Sequence, residues 1–148
     1  MRSNFWIRRS KIEGGPGSDT VQVSGSPTAD DTFNIIPNGA RFTIGHSSLL
    51  SSTLDVGTTE QAALTSGGGD DIFNVIALFT TGIAIDGGPH SAGDVLNFNR
   101  QGLPVTQTPG RISVPGKQPV TYTQIEKVNI ISVGSSPRLA LFVPLVRR

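Results

Sequence analysis

Apolar and polar residues alternate in short stretches along the chain, and this pattern predicts β-strands. In each five-residue unit the third and fifth residues are apolar and the fourth is polar, which is typical of a strand with one buried face. The clearest copies are DTVQV, DTFNI, DIFNV and DVLNF, at Asp19–Val23, Asp31–Ile35, Asp71–Val75 and Asp94–Phe98. Two looser copies are STLDV and EKVNI, at Ser52–Val56 and Glu126–Ile130.

The spacing of these units predicts a repeat architecture. The units that begin at Asp31, Ser52, Asp71 and Asp94 are 21, 19 and 23 residues apart. A period of about 20 residues fits one coil of a β-solenoid and is too short for a propeller blade or a helical-pair repeat. We therefore predict an all-β chain that forms a short parallel β-solenoid, or β-helix, with an antiparallel β-sandwich as the alternative. The unit at Asp19 lies only 12 residues before Asp31, which predicts an incomplete capping coil or a hairpin.

Shorter apolar stretches between the units predict a second set of strands. One segment differs, because TTEQAAL at Thr58–Leu64 predicts a turn or two of helix with Thr58 or Thr59 as the N-cap. The predicted second strands are Arg41–Ile44, Ile83–Ile85, Ile112–Val114 and Val120–Tyr122.

The alternation also predicts which side chains are buried and which face outward. The third and fifth residues of the units should line one continuous core, and the fourth residues should stack about 4.8 Å apart on the opposite face. The predicted core residues are Val21, Val23, Phe33, Ile35, Phe73, Val75, Leu96, Phe98, Val128 and Ile130. The predicted outward ladder is Gln22, Asn34, Asp55, Asn74, Asn97 and Asn129.

Charge is unevenly distributed, and it suggests how the chain is organised. Residues 12–99 contain ten acidic residues and one basic residue, whereas both ends are basic. An acidic body argues against nucleic acid as a partner, because phosphate binding needs clustered cations. We predict a basic N-terminal segment at 1–11, a β-repeat domain at 12–137 and a capping or linking segment at 138–148. The apolar run Leu139–Val146 is too short to span a bilayer, so no membrane span is predicted.

Catalytic signals are weak in this sequence. The absence of cysteine excludes disulfides, thiolate metal sites and cysteine nucleophiles. The pairs Asp30/Asp31 and Asp70/Asp71 are adjacent, and neighbouring residues of a strand point to opposite sides, so neither pair makes an acid and a base on one face. His46 and His90 are predicted to be surface loop residues. We predict no catalytic residue; the alternative is a carbohydrate-active enzyme, a polysaccharide lyase or hydrolase built on a β-helix.

Two segments match a known calcium-binding repeat. GGPGSDTVQ, at Gly14–Gln22, fits the nonapeptide G-G-x-G-x-D-x-U-x at every defined position, and SGGGDDIFN, at Ser66–Asn74, fits it with Ser66 in place of the first glycine. Together with the closing segment Tyr122–Val128, these units make the chain similar to RTX-like (haemolysin-type) degenerate repeats of large bacterial surface or exported proteins.

The resemblance implies an extracellular or cell-surface location, a β-solenoid and bound calcium. The function it implies is a non-catalytic structural or adhesive module, with neighbouring repeats of a longer chain or a cell-surface glycan as partners. An alternative role for the aspartates is to hydrogen-bond the turn amides, while the glycines provide corners with positive φ. The calcium ligands that the resemblance implies are Asp19, Asp31, Asp70, Asp71 and Asp94.

Overall fold

The protein is an all-β domain. The computed structural model describes residues 9–47 and 52–132, and in these residues it contains strands and no helix. The described part of the chain accordingly has no helix that could cross a membrane. The strands are β1 Arg9–Glu13, β2 Thr20–Ser24, β3 Thr32–Asn38, β4 Arg41–His46, β5 Ser52–Gly57, β6 Gln61–Thr65, β7 Ile72–Ile76, β8 Gly82–Asp86, β9 Val95–Asn99, β10 Thr106–Thr108, β11 Arg111–Ser113, β12 Val120–Thr123 and β13 Lys127–Ile131.

The strands form two mixed sheets. The first sheet has seven strands in the order β1-β5-β4-β3-β7-β9-β13, and the second has six in the order β10-β11-β12-β8-β6-β2. The chain passes from the second sheet to the first four times, at β2 to β3, β6 to β7, β8 to β9 and β12 to β13. These strands stack in parallel and in the same order in both sheets. Parallel pairing of the DIFNV and DVLNF strands, which the repeat model predicted, is therefore confirmed.

Every predicted five-residue unit forms a strand, but the units are not all equivalent. The unit at Asp19 lies in the second sheet, where β2 pairs with β6, whereas the other five lie in the first sheet. The hairpin alternative at this position is wrong, because β2 and β3 lie in different sheets; β2 is the outermost described strand of the second sheet, and the incomplete capping coil stays a prediction. A spacing of 12 residues is enough to cross from one sheet to the other, so β2 and β3 are successive strands on opposite sides of the core.

The regular period of about 20 residues is broken by a meander. Strands β3, β4 and β5 pair antiparallel, and β5 then pairs in parallel with β1. The unit at Ser52 therefore does not lie between those at Asp31 and Asp71, whose strands β3 and β7 are direct neighbours. The reversal between β3 and β4 uses Gly39, which has a positive φ of 64°. Gly39 is the first of the two central residues of this turn, between the paired Asn38 and Arg41, and a glycine at that position is a hairpin signal.

The segment predicted as helix is a strand. Gln61–Thr65 forms β6, between β2 and β8 in the second sheet, and Ala62 and Leu64 are buried. The helical prediction at Thr58–Leu64 is wrong because parallel pairing on both sides outweighs a local preference of a few tenths of a kcal/mol per residue. Thr59 does not cap a helix, since its hydroxyl donates to the carbonyl of Gly57 at 3.1 Å.

One hydrophobic core lies between the sheets and contains most of the predicted residues. Val21, Phe33, Ile35, Phe73, Val75, Leu96 and Phe98 are buried, and Val23 and Val128 are partly buried against them. Ile130 was predicted in the core but is 37% exposed. It lies on β13, which is the outermost described strand of the first sheet and has no described strand beyond it to complete the covering.

The predicted segment boundaries lie partly outside the described residues. Strand β1 begins at Arg9, within the segment 1–11. The segment 138–148 lies outside the described residues.

Candidate functional site

Four asparagines form a hydrogen-bonded ladder across the first sheet. The side-chain amide of Asn74 donates to Asn34 Oδ1 at 2.9 Å, Asn97 donates to Asn74 at 2.9 Å, and Asn129 donates to Asn97 at 2.8 Å. These residues occupy the same register position on β3, β7, β9 and β13. We call the set Asn34, Asn74, Asn97 and Asn129 the amide ladder. Each bond is parallel to the backbone ladder and links neighbouring strands through their side chains.

Two predicted members lie outside the amide ladder. Gln22 is on β2 in the other sheet, and its neighbour there is Ala63. Asp55 is on β5, beyond β4, where its carboxylate accepts a hydrogen bond from Arg41 Nε at 2.7 Å. On β4 the residue opposite Asn34 is Gly45, which has no side chain to extend the ladder. Both predictions are wrong for one reason, which is that sequence spacing does not reveal which sheet or neighbour a strand adopts.

Arg41 has a structural role at this end of the first sheet. Its guanidinium binds the Asp55 and Glu13 carboxylates and the carbonyl oxygens of Ile12 and Asp55. It therefore joins β1, β5 and β4.

A second column runs through the residues that precede the same strands. The backbone N–H of Asp31 donates to Asp71 Oδ1 at 2.7 Å, and the N–H of Asp71 donates to Asp94 Oδ1 at 2.7 Å. The N–H of Asp94 donates to Glu126 Oε2 at 2.8 Å. We call Asp31, Asp71, Asp94 and Glu126 the acid column. Its three aspartates are buried, so each carboxylate satisfies a backbone donor that water does not reach.

Burial and neighbouring negative charges raise the pKa of one member of the acid column, Asp94. Burial raises the pKa of the Asp94 carboxyl above its ordinary value, and the charges of Asp71 and Glu126 act in the same direction. The hydrogen bond from the N–H of Asp71 and the charge of His90 oppose the rise. Asp71 Oδ2 and Asp94 Oδ2 are buried and have no hydrogen-bond partner among the described residues.

Asp70 caps the following Gly-rich connection, residues 87–94. Its Oδ1 accepts the N–H groups of Ser91, Ala92 and Gly93 at 2.9, 2.7 and 3.1 Å, and its Oδ2 accepts the Ser91 hydroxyl at 2.8 Å. These bonds hold the pKa of Asp70 well below its usual range, with the N–H of Ala92 as the largest cause. The N–H of Asp70 itself donates to Asp30 Oδ1 at 2.9 Å. The two members of the pairs Asp30/Asp31 and Asp70/Asp71 therefore differ. The second aspartate is buried, whereas the first accepts hydrogen bonds from a neighbouring connection.

Asp19 has a separate position beside the second sheet. Its N–H donates to Glu60 Oε2 at 2.7 Å, and its carbonyl accepts the N–H groups of Glu60 and Gln61. The arrangement repeats at Asp94, whose carbonyl accepts the N–H groups of Glu126 and Lys127. Glu60 and Glu126 were not singled out from the sequence. Each immediately precedes a strand, and this position is the signal that could have identified them.

Glycine is required at two positions, Gly25 and Gly87, where an aspartate Oδ2 and a backbone carbonyl oxygen lie close to the glycine Cα. A Cβ at Gly87 would overlap both Asp94 Oδ2 and the carbonyl oxygen of Gln124, and a Cβ at Gly25 would overlap Asp31 Oδ2 and the carbonyl oxygen of Ser66. Only the hydrogen of a glycine fits at these points. Ser66 itself is buried, and its hydroxyl donates to the carbonyl of Gly87, which gives the serine a use in the position where the nonapeptide has glycine.

His46 is not a surface loop residue, contrary to the prediction. It ends β4 with its side chain 12% exposed, its Nε2 lies 3.1 Å from Asp31 Oδ1, and its ring contacts Phe33 with centroids 4.6 Å apart. The antiparallel meander brings it to the acid column. His90 is an exposed residue of a connection, as predicted, and its Nε2 lies 2.9 Å from Glu126 Oε1.

The predicted calcium ligands do not gather into one site. Ca²⁺ takes six to eight oxygen ligands, whereas no three Asp, Glu, His or Cys side chains within residues 9–47 and 52–132 are placed to hold a metal ion. Asp19 lies beside the second sheet, Asp70 is engaged by four donors, and Asp31, Asp71 and Asp94 are spread along a column. These residues therefore do not fit a calcium shell, and calcium binding stays a prediction. Comparisons with protein-family models, with curated proteins and with solved structures find no match to this chain.

Proposed function

We propose that the chain is a non-catalytic structural or adhesive module of an exported bacterial protein, built as a short parallel β-solenoid. In this proposal each coil contributes one strand to each sheet, and the coils continue into neighbouring repeats or present a surface to a cell-surface glycan. The extracellular location rests on the resemblance of Gly14–Gln22 and Ser66–Asn74 to exported repeats.

The amide ladder is the observation that carries the proposal. It joins four neighbouring strands through side chains in one direction, and the acid column joins the residues before the same strands. These contacts add links between successive strands. Their arrangement favours a structural spacer, in which the stacked strands resist extension.

A pulling experiment tests the structural role. The domain is placed between two marker domains and extended by atomic force microscopy. We expect one cooperative unfolding event, with a length gain of about 400 Å for roughly 120 residues at about 3.3–3.6 Å each. Several small unfolding events at low force would contradict the proposed role as a structural spacer.

A binding assay tests the adhesive role. Beads coated with the domain are mixed with cell-wall polysaccharide, and release of reducing ends is measured in the same samples. Retention on the polysaccharide without release supports an adhesive module, whereas release of reducing ends overturns the proposal in favour of an enzyme.

A further inference from the structure

The carboxylate of Asp70 accepts hydrogen bonds at both oxygens, and those of Asp71 and Asp94 accept one at Oδ1. Asp70 accepts three N–H groups and one hydroxyl, which matches the roughly four lone-pair sites of a carboxylate. A cation at this carboxylate would have to displace those donors, whose positive ends point at the same oxygens. Calcium and the observed connection therefore compete for one set of lone pairs.

The backbone of Gly87 leaves little room for an ion beside the buried Asp94 carboxylate. Asp71 and Asp94 each use Oδ1 to accept a backbone N–H from the preceding member of the acid column. The Oδ2 of Asp94 faces the Cα–H of Gly87, where even a methyl-sized group would overlap it and the carbonyl oxygen of Gln124. Ca²⁺ needs oxygens at 2.3–2.6 Å on all sides. Beside Asp94 Oδ2, the backbone of Gly87 occupies one side of such a shell.

We propose that the hydrogen bonds that the Asp70, Asp71 and Asp94 carboxylates accept from neighbouring turns stabilise this fold without calcium. In the arrangement implied by the nonapeptide, an ion draws adjacent turns together; here a carboxylate of one turn accepts hydrogen bonds from N–H groups of a neighbouring turn. The Gly and Asp residues then act as turn and acceptor positions, and the domain is folded at low and high calcium alike. This inference is separate from the proposed function, because a spacer is compatible with either outcome.

The first experiment compares unfolding of the wild-type domain in EDTA, in CaCl2 and in MgCl2, with the ions titrated into the millimolar range used by extracellular modules. We expect the same melting temperature in all three. An ion bound only by the folded state would raise stability as its concentration exceeds Kd, by about 2.7 kcal/mol at a hundredfold excess. A calcium-specific rise in melting temperature would overturn the inference and leave the spacer proposal standing.

A variant separates the two roles of Asp70. Asn at position 70 keeps one acceptor oxygen and loses the charge, so Asp70→Asn should lower the melting temperature in EDTA and in calcium by the same amount. A calcium ligand would give the opposite result, with no change in EDTA and a loss only in calcium. Gln22→Ala is the control, since Gln22 is exposed and lies outside the connections; it should leave both values unchanged.

Hydrogen exchange tests the inference on the wild type if Asp70→Asn does not fold. The N–H groups of Asp31, Asp71, Ala92 and Gly93 all donate to these carboxylates. We expect them to be protected in EDTA to the same degree as in calcium. Exchange at these amides that is fast in EDTA and slows on addition of CaCl2 would overturn the inference.

Discussion

The side-chain amide of Asn97 donates to the side-chain oxygen of Asn74 at 2.9 Å, across the parallel pair β7 and β9. The two residues are 23 positions apart in the chain and directly opposite each other in the sheet. Because the same donor-to-acceptor direction recurs at each step, removal of one amide should disturb both neighbours.

We expect Asn74→Ala to destabilise the domain by about 1–3 kcal/mol, because it leaves Asn34 Oδ1 and Asn97 Nδ2 without their ladder partners. The control is Gln22→Ala, at the same position of a predicted unit but exposed and outside the ladder; its effect should stay within about 0.5 kcal/mol. Urea unfolding of both variants measures the difference. Equal effects would show that the ladder adds nothing beyond an exposed amide.

Phe73→Ala should cost about 3–5 kcal/mol, since Phe73 is fully buried and its ring stacks on that of Phe33 with centroids 5.1 Å apart. Phe79→Ala is the comparison, because Phe79 is largely exposed and its described ring contact is with Lys117. Its loss should be below about 1 kcal/mol. Thermal unfolding of the two variants checks the expected order, and an unchanged transition for Phe73→Ala would contradict the assigned strand register.

Gly87→Ala should destabilise the domain strongly, because the new methyl group would overlap Asp94 Oδ2 and the carbonyl oxygen of Gln124. Gly45→Ala is the matched control: the nearest atom to its new methyl group would be Asn34 Cβ at 3.8 Å, an ordinary contact. It should be neutral or slightly stabilising, since alanine loses less backbone freedom on folding than glycine. Similar melting temperatures for the two variants would argue against the close approach at Gly87.

The raised pKa of Asp94 predicts that its contribution to stability depends on pH. The folded domain holds this proton more tightly than the unfolded chain does, so the stabilisation is present at low pH and is lost as pH rises through the folded-state pKa. Asp94→Asn keeps an acceptor for the N–H of Asp71 and has no proton to lose. Relative to this variant, the wild type should therefore lose unfolding free energy from about pH 4 upward.

Urea unfolding of both proteins at several pH values measures this difference, and parallel curves would contradict it. The pKa values of Asp70 and Glu13 are lowered, so their contribution to the unfolding free energy is lost as pH falls. Both residues are present in the wild type and in Asp94→Asn. Their effect cancels in the comparison.

Local pattern was enough to place the strands of the repeated units and most of the amide ladder. The alternation at Asp31–Ile35, Asp71–Val75 and Asp94–Phe98 predicted strands that bury Phe and aliphatic residues and turn Asn outward, and the structure has these features. This succeeded because side-chain direction along a strand has a period of two residues, which neighbouring residues alone determine. The aspartates of the nonapeptide-like segments could also be identified from the sequence, but the N–H groups that donate hydrogen bonds to them could not.

Only the tertiary structure decided which strands are neighbours. The sequence places Ser52–Val56 midway between two equivalent units, yet the hairpin at Gly39 carries it to the far side of β4. Gln61–Thr65 reads as helical and becomes a strand because β2 and β8 pair with it. His46 reaches Asp31, and Asp70 reaches Ala92, through pairings between residues distant in sequence. Such contacts depend on the stacking order of the sheets, which a repeated local pattern leaves open because every similar strand is an acceptable neighbour.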